Sequence, residues 1–106
     1  MVYSAGMTSY TVVLAPNEGS SYWTITCPAM PGVVSQGIGR KGALRNIVEA
    51  MELWLEVASE DGHGPLPETP DLIAAEVAFV LGWKAEEGWP LVVETAQVSM
   101  GERVAA

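Results

Sequence analysis

The chain has 106 residues, 49% of them apolar, with four tryptophans and one cysteine. That composition excludes a disordered segment and a disulfide framework, and it suits one small hydrophobic core. Thirteen acidic side chains against five Lys and Arg leave a net charge of −8, which argues against direct nucleic-acid binding, where a basic stripe is needed.

Met1 to Ser9 is small, polar and weakly patterned. From Tyr10 to Leu14 apolar residues alternate, with Tyr10, Val12 and Leu14 on one side, as in a half-buried strand. Pro16 to Ser21 is a polar loop rich in turn residues. Alternation resumes over Tyr22 to Cys27, with Trp23, Ile25 and Cys27 on one face, so the two runs read as a hairpin. Pro28, Pro31 and Gly32 then force a corner. Val33 to Gln36 fits a third strand, which Gly37 and Gly39 are expected to break, Gly39 also serving as a modest N-cap.

From Arg40 the apolar residues fall at Leu44, Ile47, Val48, Met51 and Leu55, the spacing of one buried helix face. Glu49, Glu52 and Glu56 form a stripe on the opposite side, and Arg45 is placed to pair with Glu49. Such a stripe is ordinarily a solvated face. Its functional meaning is a docking face for a basic partner. Ser59 to Pro70 is a Gly- and Pro-rich linker, and Thr69 followed by Pro70 reads as an N-cap and first helical position. Leu72, Ile73, Val77, Val80 and Leu81 keep a helical period up to Gly82, with a frayed continuation to Glu87, although Val77 to Leu81 also fits a buried strand. Leu91 to Met100 reads as the closing strand, with Val92, Ala96, Val98 and Met100 on one face, and a short tail follows.

The run from Pro28 to Glu56 carries a family resemblance. Pro28, Pro31-Gly32, Ser35-Gln36-Gly37, Ala43-Leu44, Asn46-Ile47, Glu49-Ala50 and Leu53 match, in order, the pattern of the HicB antitoxin family and its stand-alone relatives. Pro65-Leu66-Pro67-Glu68 continues the likeness. Val33 stands where the family often has cysteine, and Gly39-Arg40-Lys41-Gly42 replaces a threonine-plus-acidic helix start. The resemblance implies an α+β domain of order β-β-β-α-(α)-β, a partial RNase H-like sheet with one main helix packed on one face. It also implies a last strand beside the first and parallel to it. One HicB-like domain then spans residues 1–106, its core about 9–100, with no C-terminal DNA-binding domain.

Catalytic chemistry is not expected. The first strand, Tyr10 to Leu14, holds no carboxylate, and Glu94 is the lone acid of the last strand, so a two-metal nuclease site is not expected. Cys27 reads as a small buried hydrophobe and His63 as an isolated loop residue, so no metal or cofactor is implied. Trp54, Trp83 and Trp89 read as core or subunit contacts.

The resemblance therefore implies a cytoplasmic, non-enzymatic antitoxin that binds and neutralises a small basic RNA-cleaving HicA-type toxin, with Glu49, Glu52 and Glu56 as the candidate docking residues. An orphan, stand-alone homo-oligomeric binding module of the same fold is the alternative. Self-association, as a homodimer or larger, is expected from a sheet face carrying Val13, Tyr22 and part of the last strand with little to cover it. No leader, membrane segment or direct nucleic-acid contact is expected.

Overall fold

Alternating side chains set the first hairpin in the computed structural model, which describes residues 7–101. β1 (Met7–Pro16) and β2 (Tyr22–Thr26) pair antiparallel, Val13 opposite Thr26 and Pro16 opposite Trp23. β1 therefore starts earlier than Tyr10, the residue where strong alternation begins. At Cys27 the chain leaves the sheet through two turns: the Met30 N–H donates to the Cys27 carbonyl at 2.9 Å, and the Val33 N–H to the Met30 carbonyl at 3.1 Å. Gly32, at φ +90°, supplies the left-handed residue that this corner requires. The chain returns as β3 (Val34–Ile38), antiparallel to β2.

Gly37 was expected to end this strand and instead lies inside it. The reason is α1 (Gly39–Glu60), whose first turn sits directly on β3. A Cβ on Gly37 would stand 2.3 Å from the backbone carbon of Gly42. No side chain caps α1 and no acid occupies its first turn. Gly39 (φ +69°) swings the chain into the helix, its N–H donating to the Ser21 carbonyl at 2.8 Å. The buried side of α1 follows the expected phase: Ala43, Ile47 and Met51 are fully buried with Val12, Leu14, Ile25, Val98 and Met100, while Leu44, Val48 and Leu55 flank them. Each buried Val, Leu, Ile or Met of this set contributes about 1.5–3 kcal/mol, and the Ala43 methyl less.

Thr69 and Pro70 start α2 (Pro70–Glu87) as expected, the Thr69 hydroxyl accepting from the Leu72 N–H at 3.2 Å. Gly88, at φ +71°, closes it. Helix, not strand, forms over Val77 to Leu81. α2 lies on the sheet face opposite α1, over the buried Val13 and Ala15, where the Glu76 carboxylate accepts from the Thr26 hydroxyl at 2.9 Å.

β4 (Glu94–Gly101) completes the sheet in the order β3-β2-β1-β4. It lies beside β1, as expected, but antiparallel to it, Tyr10 opposite Val98 and Leu14 opposite Glu94. A single crossover helix would have returned the chain parallel to β1. Because α2 is a second full-length helix, the chain reverses once more before β4 begins. Val92 lies outside the strand, while Ala96, Val98 and Met100 do face α1. The α+β architecture with one main helix on one face thus stands, with an all-antiparallel sheet.

One expectation about the second face is corrected. Val13 is covered within the chain by α2, and the β4 residues there, Thr95, Gln97 and Ser99, are exposed but polar. Tyr22 does remain partly exposed. The weakly patterned start and the short tail fall largely at 1–6 and 102–106, outside the described residues.

Replacing Gly37 by Ala drives a Cβ into the Gly42 backbone. Backbone cannot rotate away as a side chain can, so the cost should reach about 3 kcal/mol, roughly a 10 °C or larger fall in Tm. Gly64→Ala, with nothing within 4 Å of its Cβ, is the control and should melt like the parent. Equal thermal melts for the two variants would refute the close approach of β3 and α1.

Candidate docking face

Glu49, Glu52 and Glu56 recur every three or four residues on α1, so they rise in one row on the side away from the sheet. All three are exposed. Among the described residues Arg45 and Glu49 make no ion pair. Arg40 instead reaches across to Glu94 at 3.1 Å, tying the start of α1 to β4.

Beside this row the structure places two residues that the sequence reading did not single out as surface. Leu53 and Val57, one turn apart, are 63% and 49% exposed. With Ala50, Trp54 and the Gly32–Val34 approach to β3, they line a shallow cleft of about 310 Å³. Trp54 is held there by its Nε1–H, which donates to the Pro31 carbonyl at 3.0 Å. The signal was present in the spacing: Leu53 is two residues past Met51, which turns it well away from the buried line. An apolar strip bordered by carboxylates can receive a basic protein that offers an apolar anchor.

The carboxylates near the sheet serve the fold. Beyond Val13 the β1 edge loses its β2 partner, and Glu68 takes over. It accepts from both the Thr11 N–H and the Thr11 hydroxyl, while Gln97 donates to that hydroxyl at 2.7 Å. The Leu66 N–H, bonded to the Ala29 carbonyl at 2.8 Å, holds the linker in position. Glu76 is engaged by Thr26 and Glu94 by Arg40. Among the described residues, no three His, Cys, Asp or Glu side chains come together in a group that could hold a metal ion.

Two buried titratable groups belong to the packing. Burial pushes the Cys27 thiol up from 9.0 to about 11, against weaker opposing hydrogen bonds from the Ala29 and Met30 backbone. Lys84 is buried at the end of α2, its ammonium donating to the Val92 carbonyl at 2.6 Å. Burial lowers its pKa, and Glu18 partly offsets that. Trp83 and Trp89 meet edge to face nearby, ring centroids 4.8 Å apart.

Glu68→Ala leaves the Thr11 N–H without an acceptor at a partly buried edge and should cost about 1–3 kcal/mol in urea unfolding. An unchanged midpoint would mean that water replaces the carboxylate without loss. For Cys27, a folded pKa near 11 means that thiolate is scarce in the native state until the pH passes well above 9. Alkylation by iodoacetamide at pH 8 should therefore be blocked in the native protein and rapid in urea. Fast native labelling would contradict the buried placement.

No family model matches the chain. A UPF0150 protein of Thermoplasma acidophilum is 40% identical over 47 residues, which cover 44% of this chain and 67% of that protein. A UPF0150 protein of Synechocystis is 34% identical over 73 residues, covering 69% of this chain and 89% of the relative. With that identity across most of a relative's length, the chain belongs to the UPF0150 family.

Proposed function

We propose that this UPF0150 protein is a HicB-like antitoxin: a cytoplasmic, non-catalytic protein that binds a small basic RNA-cleaving toxin of the HicA type and blocks its RNA-binding surface. The observation that supports this reading is the outward side of α1, where Glu49, Glu52 and Glu56 stand exposed beside the exposed Leu53 and Val57. The carboxylate row draws a basic surface in, and the apolar strip holds it once docked. The ordered Pro28 to Leu53 motif is the second support, because it is the stretch that resembles the antitoxin family. Inhibition by occlusion asks nothing of the carboxylates beyond charge, which suits a chain whose sheet acids are engaged in holding strands and helices together. No helix among the described residues is long and apolar enough to cross a membrane. The orphan binding module of the same fold differs only in its partner.

The test uses the small basic protein encoded beside this chain's gene as the binding partner. Glu49, Glu52 and Glu56 changed together to Lys should slow association by about an order of magnitude through lost steering, while far-UV circular dichroism stays unchanged. Leu53→Asp should act chiefly on dissociation, shortening the lifetime of the complex. Association and dissociation rates indifferent to both variants would move the interface off α1. Absence of any neighbouring basic protein, with no growth effect on deletion, would remove the antitoxin reading and leave the orphan module.

A further inference from the structure

The hydrogen bonds around the sheet fix which way each backbone group of β4 points. In an antiparallel ladder the N–H and C=O of one residue point to the same side, and successive residues alternate. The Thr11 N–H turns away from β4 toward the Glu68 carboxylate, so Thr11 and the opposite Gln97 exchange no backbone bond. Tyr10 and Val12 bond across to Val98 and Ala96 instead. Ala96, Val98 and Met100 thus direct their backbone groups to β1, and Thr95, Gln97, Ser99 and Gly101 direct theirs outward. β4 ends the sheet on this side. Its hydrogen bonds outside that ladder use the Glu94, Gln97 and Ser99 side chains, not its backbone. Elsewhere the edges are attended to: Glu68 closes β1 beyond β2, and Asn46 donates to the outward Gln36 carbonyl of β3 at 2.8 Å. Edges left to solvent are ordinarily guarded by a charge, a proline or a bulge. From Thr95 to Gly101 there is no charged residue and no proline, and the register with β1 runs without a bulge.

We infer that the outer edge of β4 is a self-association edge, paired antiparallel with β4 of a second copy around a two-fold axis at Val98. In that register Val98 lies opposite its own counterpart, Ala96 opposite Met100 and Gln97 opposite Ser99. Apolar side chains then meet on the α1 side of the sheet, and uncharged polar ones meet on the other. Every outward N–H and C=O of Thr95, Gln97, Ser99 and Gly101 also finds its partner. This self-match, which an isologous contact requires, selects the occupant. A second copy brings an edge that is already extended and ordered, whereas an unstructured segment of another protein must first lose its backbone freedom. A basic partner is drawn to carboxylates, and the one in β4, Glu94, is engaged by Arg40. The paired stretch itself is neutral, with Glu94 at one end and, in the sequence after the other, Glu102 followed by Arg103. α1 lies chiefly over β3 and β2, which leaves room beside β4. This inference stands independently of what docks on α1.

The full chain in dilute buffer is measured by light scattering from about 5 µM to about 500 µM, the range in which self-association shows as concentration-dependent mass. The expected mass approaches 22.4 kDa, twice the 11.2 kDa chain. Ser99→Pro removes an outward N–H that β1 does not use, as an edge strand tolerates. It should return the mass to the monomer value with an unchanged circular dichroism spectrum, and Leu53→Asp on α1 should leave the dimer intact. A parent that stays monomeric throughout, or a dimer that survives Ser99→Pro, overturns the inference. Should Ser99→Pro fail to fold, amide hydrogen exchange of the parent chain decides. The Gln97 and Ser99 N–H groups should exchange at least about tenfold more slowly at the concentrated end of the range than at the dilute end, while Val98 stays protected at both. Equal exchange of Gln97 and Ser99 at the two ends overturns the inference. So does slowing that appears only when the basic protein encoded beside this chain's gene is added, which would assign the edge to a strand of that partner.

Discussion

Everything distinctive in this fold depends on how closely β3 and the first turn of α1 approach. Gly37 and Gly42 meet backbone to backbone, with no room for a Cβ on Gly37. That contact lets α1 lie flat on the sheet and bury Ala43, Ile47 and Met51 completely. Neighbouring side chains then fasten the same corner: Asn46 donates to the Gln36 carbonyl at 2.8 Å, and Trp54 to the Pro31 carbonyl. The motif that carries the antitoxin resemblance is therefore largely a description of this corner. Pro31, Gln36, Gly37, Ala43 and Asn46 all take part in seating the helix on the strand.

The linker motif has the same character. Pro65 to Glu68 is loop in the secondary-structure sense, yet its carboxylate fills the β1 edge where β2 has turned away. An unpaired strand edge invites pairing with another chain, and an anionic acceptor bonded to the Thr11 N–H closes it without adding a strand. Across both motifs, most of the residues that carry the resemblance build the scaffold, while Glu49 and Leu53 of the same motif are exposed on α1.

The legible parts of the sequence were those governed by short-range periodicity. The hairpin, the buried phase of α1 and the Thr69 cap all follow from local spacing and turn chemistry, and they stand in the structure. Strand direction at β4 was not legible, because it depends on whether residues 71–87 make a complete second helix, and the continuous apolar run Val77 to Leu81 fits a buried strand as well as a helix. Gly37 was read as a breaker because a glycine kept for close approach and a glycine that ends a strand look alike in one sequence. Of the docking face, the carboxylate row could be read from spacing. Its apolar border could not be read as readily, since Leu53 and Val57 look like core residues until the helix phase is fixed by Ile47 and Met51.

Charge sets different physical rules for contact between copies and for contact at α1. A chain of net charge −8 repels a second copy of itself, and salt weakens that repulsion. On the antitoxin reading proposed above, salt acts in the opposite sense on α1, where it would screen the attraction between the carboxylates and a basic surface. The α1 and α2 faces also lie on opposite sides of one rigid sheet, so occupying one leaves the other sterically clear.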